Sequence, residues 1–381
     1  MSRTIRLKKG LDIPLIGKAD KIISPVAVPD HFGVSPSDFP GLIPKLDVRP
    51  GDKVKAGSAL FHDKLRPEIL FTSPVSGTVL SVERGERRKI LEVIVEKKGD
   101  EYVDFVRTDP GSLSPERIKE MLISSGLWPA IRQRPYHVVA KPGDKPKSVF
   151  ISGFDTAPLA PDYNFIIENS DNKLFLTGIK AVSKLTDGKI NLILNGKEKA
   201  PALFADCPDV EISYFSGPHP AGNVGIHIHH LDPLNKGEVV WFVNLQDIYA
   251  IGRLFTEGRY DPERIVALTG SEVVKPQYYK MLSGSSVANI VKDNVKPGSL
   301  RYISGNVLTG CKISAGGFLG YYDSQITVIK EGDHFEFFGW AAPGADKFSF
   351  YRTFLSSLLP SKSFSIDTNL HGGERAFVLT G

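Results

Sequence analysis

Two arginines close to a tryptophan form one group of residues whose chemistry suits a flat ligand. Trp128, Arg132 and Arg134 lie within seven residues of one another, and Pro135-Tyr136 follows them. An aromatic ring beside two permanent positive charges can stack on a flat ring and donate charge-assisted hydrogen bonds to its carbonyl oxygens. The alternative is a structural tryptophan with solvated arginines, and the pattern alone leaves both open.

Four histidines form a second candidate group. His219 follows Gly217-Pro218, and the others are His227, His229 and His230. We interpret the later segment as a strand, in which His227 and His229 point to the same face at a spacing that could hold a metal. No cysteine accompanies them, and the nearest acid lies in the following turn. We therefore predict no metal site and interpret the segment as a histidine-rich surface strand.

Composition excludes several classes of function. The only cysteines, Cys207 and Cys311, are far apart, so they cannot build a disulfide framework, a cysteine-ligated zinc site or an iron–sulfur site. The 47 basic and 43 acidic residues are scattered, which argues against nucleic acid as a partner. No stretch approaches about 18 apolar residues and no signal peptide is seen. We expect a protein in a reducing compartment that a partner holds at any membrane on which it works.

Residues 1–100 predict an amino-terminal domain of short antiparallel strands. Between 46 and 95 the half-motifs V-x-x-G-D-x-V-x-x-G and S-P-V-S-G-T-V resemble the flattened barrel of biotinyl and lipoyl carrier domains. Lys64 lies near the position of the modified lysine in such carriers. The hairpin is expected to run on through Leu65 to Glu68, with Pro67 where a tight turn should close, so we predict that Lys64 is unmodified.

Residues 101–256 are typical of a Rossmann-like α/β domain. Ser114-Pro115 predicts the start of a helix, and three short apolar runs predict buried, parallel strands; they are Val149–Gly153, Phe165–Ile167 and Ile190–Leu194. A dinucleotide site needs closely spaced glycines after the first strand. Prolines at 158 and 161 occur there instead, so we predict a degenerate nucleotide site that binds neither flavin nor NADH.

The remaining residues are strand-rich again. Residues 257–330 predict a β-grasp ligand-binding domain, with strands around Ile265–Gly270 and Arg301–Gly310. Residues 331–381 predict a short β-rich tail that packs on the other domains, with edge strands at 335–340 and 348–351. The expected fold class is therefore a multidomain α/β protein.

Five segments in order along the chain resemble the A-subunits of the sodium-translocating NADH:quinone oxidoreductases, which are peripheral parts of a membrane redox pump. They are Ile5–Pro14, Ser125–Pro135, Phe215–His229, Gln246–Phe255 and Ser304–Gly310. The resemblance implies the same order of domains. It also implies a further helical part after the last residue, so we expect a truncated chain. The electron-bifurcating relative would need C-x-x-C-x-x-C runs, which two isolated cysteines exclude.

The resemblance further implies a function. The chain would be a peripheral subunit on the cytoplasmic face of the bacterial inner membrane, contributing to quinone reduction coupled to sodium export and inactive alone. Ubiquinone or menaquinone would be the substrate, with no covalently bound cofactor here and with flavins and iron–sulfur clusters on partner subunits. The main partner would be the quinone-side membrane subunit. Quinone contacts are assigned to Trp128, Arg132, Arg134, Tyr136 and His219. The alternative is a non-catalytic scaffold that docks the membrane subunit without binding quinone.

Overall fold

The chain is a mixed α/β protein whose described strands form four sheets, of seven, six, four and three strands. The structure, a computed structural model, describes residues 2–207, 209–332, 337–338, 341–349, 352–359 and 363–369. The amino-terminal residues contribute two short strands, β1 (Arg3–Arg6) and β2 (Ile23–Ser24), which pair with strands from much later in the chain.

The rest of the first hundred residues form a barrel-sandwich of short antiparallel strands, as the alternating pattern predicts. Phe32, Leu60 and Ile69 are fully buried between its two sheets, which have the orders β3-β9-β8-β5 and β4-β6-β7. The strands are β3 (His31–Val34), β4 (Pro44–Leu46), β5 (Lys53–Val54), β6 (Ala59–Asp63), β7 (Arg66–Thr72), β8 (Gly77–Arg84) and β9 (Ile90–Lys97), with 3-10 turns at Pro36–Asp38 and Glu86–Arg88.

The hairpin around Lys64 differs from the expectation of a long, open turn. Asp63 pairs directly with Arg66, so the chain turns within Lys64-Leu65 alone. An ion pair of 2.7 Å between Asp63 and Arg66 closes the turn, and Pro67 lies inside β7. The longer hairpin was wrong because Pro67 falls on a residue of the strand rather than in its turn. The absence of modification at Lys64, which is exposed at the tip, stays a prediction.

A seven-stranded sheet forms the second domain. Its order is β1-β14-β13-β12-β15-β10-β11, parallel from β1 through β15 and antiparallel at β10 and β11. The elements are α1 (Pro115–Ser124), β10 (Arg132–Arg134), β11 (Val138–Val139), β12 (Ser148–Gly153), α2 (Tyr163–Glu168), α3 (Asn172–Ser183), β13 (Lys189–Asn195), β14 (Glu211–Ser216), α4 (Val224–Leu231), β15 (Val240–Asn244) and α5 (Leu245–Glu257), with 3-10 turns at Pro110–Ser112, Trp128–Ala130 and Ala202–Asp206.

Both faces of this sheet are covered, which explains why its strands are apolar throughout. Ile151 and Val243 face the layer that contains α3 and α5. Phe150 and Phe242, one residue earlier in each strand, face the opposite layer, which contains α4. Successive side chains of a strand point to opposite faces, so each strand must be apolar on both sides. The predicted strands at 149–153 and 190–194 and the helix capped by Ser114 are confirmed.

Two elements of this domain differ from the sequence-based expectation. Phe165–Ile167 lies in α2 rather than in a strand, because the Asp162 carboxylate accepts the Phe165 N–H at 3.0 Å and starts a helix. His227 and His229 lie in α4 rather than in a strand. Residues two apart lie on different sides of a helix, and here His227 is buried while His229 is exposed.

A six-stranded sheet of order β19-β18-β20-β16-β17-β2 forms the third domain. Its core is made by Val266, Leu268, Ile326 and Val328. Parallel pairing of β16 with β20 and antiparallel pairing of β18 with β20 match a small β-rich module. The elements are β16 (Glu263–Thr269), β17 (Gln277–Leu282), α6 (Ala288–Val291), β18 (Leu300–Ser304), β19 (Cys311–Ile313) and β20 (Gln325–Lys330).

Part of the tail returns to the amino-terminal segment. Phe364 forms a parallel bridge with Leu15, and Asp367 forms one with Lys330. A 3-10 turn occupies Leu355–Leu358. Of the edge strands expected at 335–340 and 348–351, residues 335–336, 339–340 and 350–351 lie outside the described residues, and the described ones are not in strands.

Candidate functional site

A cavity of about 680 Å³ lies between the second and third domains. Ser152 and Asn244, near the carboxyl ends of β12 and β15, form its floor, and the loops at 305–311 and 320–325 of the third domain cover it. Ligands of open α/β sheets bind at this edge, beyond the carboxyl ends of the parallel strands. The cavity is therefore the first place to look for a ligand site.

Arg132 and Arg134 form one wall of the cavity. They alternate along β10 and so share a face of the sheet, and Arg132 stands directly opposite Phe242 of β15. The Arg132 guanidinium lies between two rings, with Cζ 4.2 Å from the centre of Phe242 and 4.0 Å from that of Tyr322. Its Nη2 donates to Oδ1 of Asn244 at 2.7 Å. Arg132 is thus held rigidly by packing and hydrogen bonding.

Both guanidiniums keep hydrogen-bonding capacity. Arg132 is only 7% exposed and Arg134 is half-buried, and the Nε of each has no acceptor in the described part of the chain. Burial lowers the pKa of both, and the charge of Arg132 adds to the lowering at Arg134. Guanidinium is nevertheless protonated at any physiological pH. The wall therefore carries two positive charges, and the carboxyl groups of Asp247 and Asp323 are close enough to act on the one at Arg132.

His137 extends this wall in the turn between β10 and β11. Its ring centre is 5.5 Å from that of Phe242, and its backbone has a φ of 55°, which is uncommon for a residue other than glycine. Burial lowers the pKa of His137 to about 4, helped by the charges of Arg132 and Arg134. His137 is therefore neutral at pH 7 and can either donate or accept a hydrogen bond.

His219 lines the cavity from the loop before α4. Its Nδ1 lies 3.1 Å from the Thr156 hydroxyl oxygen, which accepts the Gly222 N–H at 2.9 Å. A side chain at Gly222 would stand 2.4 Å from the Thr156 nitrogen, so only glycine allows the two loops to approach this closely. The contact fixes His219 relative to the end of β12.

Three carboxyl groups also line the cavity, and each has a donor of its own. Asp38 accepts the Tyr321 N–H at 2.8 Å, Asp155 the Ala157 N–H at 2.8 Å, and Asp323 the Ser304 hydroxyl at 2.6 Å. Burial raises the pKa of all three, that of Asp38 to about 7. The charge of Asp38 is therefore reduced near neutral pH.

The structure brings together three of the five residues assigned from sequence. Arg132, Arg134 and His219 line the cavity, whereas Trp128 and Tyr136 do not. Trp128 is fully buried, donates from Nε1 to the Ala140 carbonyl at 2.7 Å and packs edge-on against Trp241. Tyr136 is 82% exposed. Trp128 is therefore a structural residue, as one of the two interpretations of the sequence had it. The same interpretation expected solvated arginines, and Arg132 is instead buried.

Several lining residues were not identified from the sequence. Asn244 had a usable signal, because it is a polar residue directly after the apolar run of β15 and lies at the ligand-binding edge. Tyr322 and Asp323 come from a loop of another domain, and no local pattern indicates that they meet β10. Cys311, exposed at the start of β19, also lines the cavity.

Within the described residues, no group of three or more histidine, cysteine or acidic side chains is arranged to hold a metal. His227 donates from Nε2 to the Ala221 carbonyl at 2.9 Å, and its ring packs 4.6 Å from that of Phe215. It is a core residue. In the same part of the chain, no helix is long and apolar enough to cross a membrane.

Comparison with known families covers all three domains. Residues 5–98 match the NqrA N-terminal barrel-sandwich hybrid domain, residues 113–260 the NqrA second alpha/beta domain, and residues 265–315 the NQRA C-terminal domain, of the SLBB type. The fold class is thereby confirmed. One solved structure, an NAD+-reducing [NiFe]-hydrogenase in its H2-reduced state, aligns at 11% identity over 58% of this chain and 48% of that chain, with a TM-score of 0.39 that is too low to support an argument.

Relatives that align with nearly the whole chain give the same result. The Na(+)-translocating NADH-quinone reductase A-subunit from Yersinia pseudotuberculosis is 40% identical, that from Serratia proteamaculans 39% and that from Neisseria meningitidis 38%. Each alignment covers 99% of this chain and 85% of the relative. The chain therefore belongs to the NqrA family, the A-subunits of the Na+-translocating NADH-quinone reductase, which is an oxidoreductase complex of several subunits.

Proposed function

We propose that the cavity between the second and third domains binds the ring of ubiquinone or menaquinone, and that the chain contributes in this way to quinone reduction coupled to sodium export. One observation carries the proposal: Arg132 and Arg134 both line one cavity, and two rings and Asn244 hold the Arg132 guanidinium in place there. The names of the relatives, which are NADH-quinone reductase subunits, supply the substrate class.

The guanidiniums suit the charge change of the reaction. Reduction of a quinone to a quinol takes up two electrons and two protons, and negative charge develops on the carbonyl oxygens as electrons arrive. A fixed positive charge in a partly buried site stabilises that charge without reorganising. Because Phe242, Tyr322 and Asn244 hold Arg132, its direction is set before the ligand arrives.

Two histidines that line the cavity, His137 and His219, can form hydrogen bonds to the reduced ring. His137 is neutral at pH 7, since burial holds its pKa at about 4, and one of its nitrogens therefore carries a hydrogen that it can donate. His219 is positioned by Thr156 in the loop before α4. Both can donate to an oxygen that gains charge, and we assign them that role.

The other parts of the reaction belong to partner subunits. We place the chain as a peripheral subunit on the cytoplasmic face of the bacterial inner membrane, next to the quinone-side membrane subunit. Flavins would reside on the partners, because the loop after β12 contains Pro158 and Pro161 instead of a glycine-rich phosphate loop. Iron–sulfur clusters would reside there too, because the chain has only two cysteines. The isolated chain should then fail to oxidise NADH, and a rate that follows the pure protein through chromatography would refute this.

Alkylation of Cys311 tests whether the chain binds quinone and whether the quinone lies in this cavity. It is exposed and lines the cavity, whereas Cys207, the other cysteine, is buried. A fully substituted ubiquinone, which cannot add a thiol to its ring, should slow alkylation of Cys311 several-fold in a saturable way, measured by mass spectrometry at pH 8.5. Arg134→Gln should raise the quinone concentration needed, whereas Arg117→Gln on the exposed face of α1 should not. Unchanged alkylation at every quinone concentration would contradict the proposal and favour the scaffold alternative.

A further inference from the structure

A buried ion pair outside the cavity joins the second domain to the third. Nη2 of Arg264, in β16, donates to Oδ1 of Asp247, in the first turn of α5, at 2.8 Å. The two side chains are only 4% and 3% exposed. Burying two charges costs free energy that their attraction returns only in part, so stability alone does not explain such a pair. Its contacts with the rest of the molecule indicate another role.

The first turn of α5 also contacts the loop of the third domain that covers the cavity. Directly before the helix, Nδ2 of Asn244 donates to the Tyr322 carbonyl at 3.4 Å. Nε2 of Gln246 donates to the Ser324 hydroxyl oxygen at 3.0 Å and to the Ile265 carbonyl at 2.9 Å. Oε1 of Gln246 accepts the Ile265 N–H at 2.7 Å, so its amide bonds to the edge of β16 as a neighbouring strand would. The start of the helix thus holds the loop at two points.

The ion pair supplies a third point, between the other two. Nη1 of Arg264 donates to the Asp323 carbonyl at 3.4 Å, while Nη2 of the same guanidinium binds Asp247. A guanidinium donates in several directions from one rigid plane, which a lysine ammonium does not do. Three consecutive loop residues, 322–324, all line the cavity, and each is bonded to the second domain directly or through Arg264.

This loop determines part of the surroundings of Arg132. Tyr322 places its ring centre 4.0 Å from Cζ of Arg132, and its hydroxyl donates to the Pro129 carbonyl at 2.6 Å. Asp247 and Arg264 themselves do not line the cavity formed by the described residues. They can therefore act on a ligand in it only through the groups that they hold or through their charges.

We propose that the ion pair of Asp247 and Arg264 positions the loop 322–324 over the cavity. Through this loop, the pair keeps the Tyr322 ring on the Arg132 guanidinium and so sets the affinity of the cavity for its ligand. The last step rests on the proposed function, since quinone is the ligand whose affinity would change. The hold on the loop does not depend on a ligand, so it can be measured in the ligand-free chain.

A double substitution separates positioning from stability. Asp247→Leu/Arg264→Met replaces the pair by apolar side chains, which is often neutral for stability, whereas removal of one partner alone is strongly destabilising. The net charge of the chain stays the same. Burial is the main cause of the lowered pKa of Arg132, and Asp247 and Arg264 shift that pKa in opposite directions. Their joint removal should therefore change the position of the loop more than the charge around Arg132.

Arg253→Met is the matched control. Arg253 lies further along α5 and forms an ion pair of 3.2 Å with Asp261, two residues before β16. It therefore also links α5 to the start of the third domain. Its other ion-pair partners in the described part of the chain are Glu257 and Glu263, so these contacts lie outside the loop over the cavity.

The test combines three measurements on each protein, which are the melting temperature, hydrogen exchange of the ligand-free chain by mass spectrometry, and calorimetric titration with ubiquinone. The loop amides report its position, because the N–H groups of Tyr321 and Asp323 bond to Asp38 and Gly320. The double variant should melt near the wild-type temperature. Its loop amides should exchange about tenfold faster, and it should bind ubiquinone roughly tenfold more weakly. Arg253→Met should match the wild-type chain in exchange and in affinity.

Two results would overturn the proposal: unchanged loop exchange in the folded double variant, and faster exchange with unchanged ubiquinone affinity. If the double variant does not fold, Arg264→Lys decides. It can still pair with Asp247 but lacks the second arm that reaches the Asp323 carbonyl, so wild-type loop exchange in this variant would equally refute the role. A wild-type chain that binds no ubiquinone would contradict the proposed function instead, and the exchange data would still show whether the pair holds the loop.

Discussion

Arg132 shows how far a single side chain can depart from what its sequence context indicates. Arg132-Gln133-Arg134 is typical of an exposed polar segment, yet the register of β10 places Arg132 between Phe242 and Tyr322. The energy of a cation between two rings is about 0.5 to 2 kcal/mol for each ring, which partly offsets the cost of burying the charge. Neither ring is near Arg132 in sequence, so its burial could not be predicted locally.

The charge of Arg134 should be measurable at His137. Arg134→Gln removes one of the two positive charges that help burial to lower the pKa of His137, so that pKa should rise from about 4. Proton NMR of the imidazole Cε1–H across a pH titration checks this, with the resonance assigned through His137→Gln. Arg117→Gln, on an exposed side chain of α1, should leave the titration unchanged. A His137 curve that is identical in the wild-type chain and Arg134→Gln would show that the two groups do not interact.

At the scale of elements, the sequence predicted those whose signals are local. Ser114 and Pro115 mark the start of α1, and the apolar runs of β12 and β13 are long enough to indicate buried strands. Phe165–Ile167 is too short for its periodicity to separate strand from helix, and the deciding contact is the Asp162 cap. The helix α4 was missed because histidines two apart also fit the alternation of a strand.

Helix α4 should make the stability of the protein depend on pH through His227. Its Nε2–H is donated to the Ala221 carbonyl, so a second proton would go to Nδ1, which is buried without an acceptor in the described part of the chain. Burial lowers the pKa of His227 to about 4, below the value of about 6.5 in an unfolded chain. The unfolded state then binds more protons, and the free energy of unfolding falls as the pH drops from about 6.5 to 4.

Chemical denaturation at pH 7 and pH 4 measures this contribution. The difference in unfolding free energy between the two pH values should be smaller in His227→Gln by up to about 3 kcal/mol. His229→Gln, which alters an exposed histidine of the same helix, should behave as the wild-type chain does. If both variants lose the same amount, the buried imidazole does not carry the effect.

At the scale of the whole molecule, the amino-terminal segment joins domains that the sequence presents as consecutive units. β1 extends the sheet of the second domain beside β14, and β2 extends that of the third beside β17. Strands so distant in sequence leave no local pattern when they pair. The composition and periodicity of the chain therefore indicated the domains but not the pairing of β1 with β14 or of β2 with β17. The domain limits at 100, 256 and 330 stay predictions. The cavity exists because loops of the third domain close over the second.

The central claim is that fixed positive charge in this cavity binds quinone. The most direct test is a calorimetric titration of ubiquinone into Arg134→Gln and into the wild-type chain, with melting temperatures measured in parallel. Arg134 is the better choice than Arg132, because its half-buried side chain has fewer contacts and its loss should change the free energy of unfolding by less than about 1 kcal/mol. Loss of a charge-assisted hydrogen bond of about 1.5 to 3 kcal/mol should weaken quinone binding roughly ten- to a hundredfold. Equal affinity of the two proteins, with melting unchanged, would contradict the claim.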